Sequence, residues 1–312
     1  MLLSRVAESL YWINRYLERA ENISRFVEVS EAMSLDCPPG SAEPWLPLID
    51  ASSDRESFDK RFPEKKPDDV INFLIRDRLN PNSIISCIQM ARENARQIRD
   101  VMTTEMWEQI NILYWNMQEG EAIWNKPRQE QLSEIRRECQ LFYGITDATL
   151  SKDLAWRFSI LGRLIERADK TSRILDVKYY VLLPSLGALG SPIDNLQWEI
   201  ILRSTSGIGG FRMSYGNGAD PSQIAKFLIL DPRMPRSLIF CISKLRENLE
   251  FLSLSHQTTS LALSQVKTLE GEYKKINIDH VFKRGLHEFI QDLIYQLGQI
   301  SNQIEADFNF HT

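Results

Sequence analysis

An eleven-residue stretch occurs twice in this chain, and its two copies limit the fold more than any other feature. The first is Arg15-Tyr16-Leu17-Glu18-Arg19-Ala20-Glu21-Asn22-Ile23-Ser24-Arg25. It returns 148 residues later as Arg163-Leu164-Ile165-Glu166-Arg167-Ala168-Asp169-Lys170-Thr171-Ser172-Arg173. Arg, Glu, Arg, Ala, Ser and Arg keep their places, and Glu21 becomes Asp169. The first copy lies in residues 3–34, which keep a helical period without Gly or Pro. Val6, Leu10, Ile13, Leu17, Ala20, Ser24 and Val27 share one face. Ser4, Glu8, Tyr11, Arg15, Glu18, Asn22 and Arg25 lie opposite, with Trp12, Tyr16, Ile23 and Phe26 between. A helix so apolar outside one narrow polar stripe belongs inside a protein rather than on its surface.

The repeat extends beyond the motif. Residues from Pro67 to Asn94 align without gaps on Pro221 to Asn248, with 13 of 28 pairs identical, among them Pro81/Pro235, Ser83/Ser237, Cys87/Cys241 and Asn94/Asn248. Trp45 and Trp198 fall between the two blocks at an intermediate offset. Collinear blocks with slowly drifting spacing mean duplication with small loop insertions, at a period too long for a solenoid. The expected architecture is all-α: one domain over 1–312, built from two similar helical halves, 1–146 and 147–312, packed about a pseudo-two-fold axis. Gly144-Ile145-Thr146-Asp147 is too short for a flexible linker between independent domains.

Elsewhere the pattern predicts a stop at Cys37-Pro38-Pro39-Gly40 and a short apolar piece over 45–49, then a charged stretch over 54–69 and a short helix over 69–78. Asn80-Pro81 reads as the start of a helix running to about 116. Further helices are expected over 128–143, ending at Gly144, and over 152–182, capped by Ser151. Others follow over 222–230 and 235–256, with a pattern over 258–274 and a last helix over 279–307 capped by Asp279. Gly, Pro and Ser dominate 184–222; its Ser206–Arg212 and Tyr215–Gly218 runs read as a hinge or cover loop, without the spacing of a phosphate-binding loop.

Within each copy the polar residues share an arc of roughly 80° at helical spacing: Arg15, Glu18, Asn22 and Arg25, then Arg163, Glu166, Lys170 and Arg173. About a two-fold axis Arg15 could meet Glu166 while Glu18 meets Arg163, and Glu21–Arg25 and Asp169–Arg173 form i,i+4 pairs. A plain solvated face is one reading, because the stripe lies opposite the most apolar arc, and two others stay open. In one, the charges pair with each other and fix register. In the other, Arg15, Glu18, Arg19, Asn22, Arg25, Arg163, Glu166, Arg167 and Arg173 hold an anionic small molecule or peptide between the halves, with Glu18 and Glu166 as candidate catalytic carboxylates.

Other chemistry finds little support. Cys87 and Cys241 sit on apolar helix edges without a neighbouring His and read as core thiols, and Asn94 and Asn248 as buried amides bridging helices. His256, His280, His287 and His311 show no Glu-x-x-His spacing, so no metal or other cofactor is expected. With 37 Lys and Arg against 42 Asp and Glu, the net charge of -5 argues against nucleic acid as a partner. No apolar run reaches membrane-spanning length, no secretory leader is recognisable, and the four Cys form no CxxC, so the expectation is a cytoplasmic protein with reduced thiols and no membrane partner.

Leu3-Ser4-Arg5-Val6-Ala7-Glu8-Ser9-Leu10-Tyr11-Trp12, followed by Arg15 to Asn22, resembles the start of the bacterial alpha-E family. Gly162 to Asp169 with Asp176-Val177-Lys178-Tyr179 adds to the resemblance, which spans the chain. That family is named for its all-helical fold and its Glu-Arg motif. Its members are found beside, or fused to, a circularly permuted ATP-grasp domain, often near a transglutaminase-like protease. The resemblance thus implies a role in forming or processing amide bonds on a peptide or amino-acid conjugate. This chain carries no ATP-grasp segment, so the implied partner is a separate ATP-grasp ligase. The alternatives are an enzyme in its own right, a transferase or amide hydrolase using Glu18 or Glu166, and a purely structural interaction module.

Overall fold

Residues 4–36 form one unbroken helix, and most of the molecule is wrapped around it. A computed structural model of the chain describes residues 2–36, 45–52, 54–118, 122–181, 192–216, 220–256 and 259–310. These residues form fifteen α-helices and two short 3-10 turns, with no strand among the described residues. α1 (Ser4–Asp36) is followed by α2 (Leu46–Ser52), α3 (Arg55–Arg61), α4 (Pro67–Ile75), α5 (Ile84–Gln97), α6 (Thr104–Asn116) and α7 (Arg128–Thr149). Next come α8 (Leu154–Val181), α9 (Pro192–Ser204), α10 (Ile208–Tyr215), α11 (Pro221–Leu230), α12 (Leu238–His256), α13 (Leu261–Tyr273), α14 (Ile278–Arg284) and α15 (Leu286–Asp307).

α1 and α8, the two motif helices, pack on each other at the centre. α5 and α7 flank α1, with α6 joining them; α12 and α15 flank α8, with α13 joining them. α2 lies on α8, and α9 lies on α1. The enclosure expected of α1 is present: its apolar face is buried, and so are Tyr11, Glu18, Asn22 and Arg25 from its polar stripe. Tyr11 faces Gly162, Arg15 meets Glu166 and Glu18 meets Arg167, so α1 and α8 run in the same direction. No helix among the described residues is long and apolar enough to cross a membrane.

Several boundaries differ from those the sequence pattern suggests, each for a local reason. The expected helix over 81–116 is two helices. Thr103 accepts a hydrogen bond from the Met106 N–H and starts α6, and the break is hidden because Ile98 and Met102 stay buried across it. Ser83, not Asn80, caps α5: its hydroxyl accepts from the Ser86 N–H, while Asn80 accepts from the Asn82 N–H and donates to the Phe73 carbonyl in a turn. Gly144 does not end α7, which runs to Thr149. Asp153 rather than Ser151 accepts from the first turn of α8. The long C-terminal helix is split at Gly285, whose φ of 112° is left-handed, and Asn277 rather than Asp279 caps α14. Residues 208–215 form a helix rather than a loop, pinned by Phe211 on the Phe227 ring at 5.6 Å. The Cys37–Gly40 stop lies outside the described residues.

Candidate functional site

The two copies of the repeated stretch meet at the α1–α8 contact. Glu166 accepts a two-pronged hydrogen bond from Arg19 (Nε 2.7 Å, Nη2 3.0 Å) and a third from Arg15 Nε at 3.1 Å. Lys170 Nζ stands 3.7 Å from the same carboxylate. Glu18 accepts the corresponding fork from Arg167 (Nε 2.9 Å, Nη2 2.8 Å). Its other donors are Arg236 Nη1 at 2.9 Å and Asn22 Nδ2 at 3.2 Å. The side-on fork of guanidinium on carboxylate gives each pair fixed geometry as well as charge.

The expected i,i+4 pairs are also present. Arg25 Nε donates to Glu21 at 2.9 Å, and Arg173 Nε to both oxygens of Asp169 at 2.9 Å. Glu21 also accepts from Arg236 Nη2 at 2.5 Å and from Gln140. The remaining Arg25 nitrogen reaches the Ser206 hydroxyl, which ties α1 to the segment before α10.

One expected pair is different. Arg163 does not reach Glu18, because Arg167 and Arg236 fill that carboxylate. Arg163 instead lies over the Tyr143 ring, 5.0 Å from its centre, with Asp147 3.7 Å away. Arg15 does meet Glu166, as expected, and also donates to the Ser301 hydroxyl at 2.9 Å. All nine candidate residues lie on α1 or α8. Arg15, Glu18, Arg19, Asn22, Glu166 and Arg167 belong to the central cluster, Arg25 and Arg173 extend it along each helix, and Arg163 sits at its edge.

The residue that sequence reasoning missed is Arg236, which links Glu18, Asn22 and Glu21 from the loop before α12. A signal existed. In the aligned blocks Pro235-Arg236-Ser237 stands opposite Pro81-Asn82-Ser83, an isolated cation between two identical neighbours. Asn82 also faces the cluster, accepting a hydrogen bond from Arg19 Nη1 at 2.5 Å.

Burial gives these contacts their weight. Glu18 and Glu21 are 0 % exposed and Glu166 is 1 %. Burial pushes the Glu166 carboxyl up, but Arg19, Lys170 and Arg15 outweigh it and hold the group well below the usual glutamate range. Arg167 and Arg236 do the same for Glu18, and Arg236 and Arg25 for Glu21. Asp169 is lowered by Lys170 and Arg173 against its own burial. Against these four carboxylates, and Asp147 and Glu305 at the edge, stand eight cations: Arg15, Arg19, Arg25, Arg163, Arg167, Lys170, Arg173 and Arg236. Positive charge is therefore in surplus. Arg15, Arg19, Arg163 and Arg167 keep 13–15 % of their side chains exposed, so the surplus reaches the rim.

These shifts predict acid lability with a definite sign. A carboxylate whose folded pKa is depressed adds stability above its unfolded value and loses it as pH falls toward the folded one. The unfolding midpoint is expected to be level from pH 7 to about 5. Below the ordinary glutamate value of 4.5 it should fall steadily, as the unfolded chain takes up protons that the folded cluster refuses. Thermal unfolding between pH 7 and 3 measures this.

Cys87 and Cys241 are buried as expected, and burial pushes both thiols up to about 12. Asn248 is buried, donates to the Lys244 carbonyl and accepts from Arg157, whereas Asn94 is only partly buried and bonds within its own helix. His287 hydrogen-bonds Asp176 at 2.5 Å.

Over residues 2–308 the chain matches the Alpha-E family, described as a predicted alpha-helical domain with a conserved ER motif, and it belongs to that family. Glu18-Arg19 and Glu166-Arg167 are the Glu-Arg pairs of this chain that exchange forks across the α1–α8 contact. No curated protein and no solved structure matches the chain.

Proposed function

We propose that this chain acts by binding, as the accessory or substrate-holding partner of a separate ATP-grasp ligase in amide-bond formation or peptide modification. The observation that carries the binding half of this reading is the state of the motif glutamates. Glu18 and Glu166 are sealed from solvent, and each is held by two arginines. A general base must reach its substrate's proton within hydrogen-bond distance. These carboxylates are committed to guanidinium groups, which hold both below the ordinary glutamate value and so away from the range in which a base is useful. The Glu-Arg motif thus serves as the register lock of a scaffold. The ligase half follows from the family resemblance together with the cationic rim, which suits a carboxylate or acyl-phosphate group.

The same reading includes an origin by duplication, with α1 to α7 and α8 to α15 as two copies about a pseudo-two-fold axis. The reciprocal forks Arg19–Glu166 and Arg167–Glu18 support it. So does the pattern of buried positions. α7 and α15 are both 22 residues long, and shifting Gln131, Leu132, Ile135, Cys139, Phe142, Tyr143 and Thr146 by 158 gives Phe289, Ile290, Leu293, Leu297, Ile300, Ser301 and Ile304, all buried.

Affinity purification of the tagged chain from its own host is expected to enrich an ATP-grasp protein. ADP release by that protein with its peptide substrate should rise when the chain is added, while the chain alone turns over nothing. Turnover by the isolated chain, or purification without an ATP-grasp protein, would sink the reading.

A further inference from the structure

We infer that Arg163 and Tyr143 form an oxyanion site at the seam of α7 and α8, taking one carboxylate or phosphate group of a ligand. Two buried donors there have nothing to bond. Tyr143 is 7 % exposed and its hydroxyl has no hydrogen-bond partner. The Nε of Arg163 is buried and also has none. Buried donors of this kind are rare, and each calls for an occupant. Asp147, at 3.7 Å from Arg163, is too far for a hydrogen bond, and one of its oxygens is already taken by Trp156 Nε1 at 2.9 Å.

The corresponding place around Arg15 shows what is missing. Tyr143 and Ser301 both stand sixteenth in their helices, and Asp147 and Glu305 both stand twentieth. Ser301 accepts from Arg15 Nη1 at 2.9 Å and shares a hydrogen bond of 3.0 Å with the Tyr11 hydroxyl. Arg15 Nε is satisfied by Glu166 at 3.1 Å. At Arg163 no glutamate arrives, and the counterpart of Tyr11, Ser159, turns its hydroxyl to the Ala155 carbonyl at 3.1 Å. Arg15 thus has two carboxylates, Glu166 and Glu305 at 3.9 Å, where Arg163 has Asp147 alone: one oxygen acceptor and one negative charge fewer.

An oxyanion supplies both. One oxygen accepts from the Tyr143 hydroxyl and another from the guanidinium, a charge-assisted pair. A water molecule would satisfy the hydroxyl but add no negative charge to the single 3.7 Å contact with Asp147. Burial and the adjacent Arg167 lower the Arg163 pKa from its ordinary value, which an incoming anion would reverse. The site lies next to solvent, since 14 % of the Arg163 side chain and 45 % of the Asp147 side chain are exposed. The inference uses the correspondence of the two halves but not the ligase. It is tested on the isolated chain, so failure of either proposal leaves the other standing.

The experiment is thermal unfolding of the full chain in sodium phosphate, sodium acetate and sodium chloride at equal ionic strength, for the wild type, Tyr143→Phe and Arg163→Gln. Phosphate or acetate is expected to raise the wild-type midpoint above that in chloride, in a saturable manner. The larger response identifies the group as phosphate or carboxylate. Tyr143→Phe should unfold at or above the wild-type midpoint in chloride, because its buried hydroxyl has no partner, and should bind the anion about tenfold more weakly. Arg163→Gln should abolish the response. The site is refuted by equal anion responses in all three proteins, by no response in the wild type, or by a lowered midpoint of Tyr143→Phe in chloride, which would mean that water already satisfies the hydroxyl.

Discussion

Glu18→Gln is expected to destabilise the protein by about 3–5 kcal/mol, the usual cost of removing one partner from a buried ion pair. Glu18 is 0 % exposed and takes hydrogen bonds from Arg167, Arg236 and Asn22. The neutral amide keeps the volume but can accept with only one oxygen, and its NH2 group faces two guanidinium groups that are largely withdrawn from water. For a chain of this length the loss corresponds to a fall of about 5–8 °C in midpoint. If Glu18 were a catalytic base, the same substitution would remove turnover and leave stability nearly intact, so calorimetry separates the two roles. A second variant gives the cause. Arg236→Asn installs the residue found at the corresponding Asn82 position. Combined with Glu18→Gln it withdraws one of the two stranded cations, so the double variant should lose less than the sum of the singles. Strict additivity would mean that the charges are not coupled.

The arrangement around Glu18 also marks where a sequence stops being informative. Periodicity assigned Arg15, Glu18 and their counterparts to one stripe of each helix, and the stripes do meet. The chemistry of the pairing, guanidinium on carboxylate across two copies, was legible from residue types alone. The partner of Glu18 was not. A period of 3.6 residues gives the direction of a side chain around the axis but not the crossing angle or the axial offset of two helices, and these select Arg167 over Arg163. Arg236 arrives from outside both motif helices and takes the place left. Hidden breaks had a similar cause. The apolar pattern continues through Ile98 and Met102, so the Thr103 cap could not be told from an interior threonine. In contrast, α1 could be read end to end, because it is buried on almost every side and its stripe is too narrow for a surface helix.

The close approach of α1 and α8 at Gly162 is probed by a second substitution. Gly162→Ala is expected to cost about 3 kcal/mol, at the upper end for an overpacked core. A Cβ added at Gly162 would stand 2.0 Å from the Tyr11 carbonyl oxygen and 2.8 Å from its carbonyl carbon. Those are backbone atoms within α1, so they cannot turn aside as a flexible side chain would. In an unhindered helix the exchange goes the other way, because Ala is the better helix former by about 1 kcal/mol. Gly144 and Gly298, within α7 and α15, meet nothing within 4 Å and provide that control: Ala there should stabilise slightly. The damage at Gly162 should also reach the charge cluster. Glu166 lies one turn further along the same face of α8, and the hydrogen bonds it accepts from Arg15 and Arg19 span the α1–α8 contact. Pushing the helices apart would stretch those bonds, so Gly162→Ala and Glu166→Gln should be strongly non-additive in denaturant midpoints. Independent effects would mean that the close approach at Tyr11 and the Glu-Arg lock are separate devices, and the contact at Gly162 would no longer account for the register of the motif.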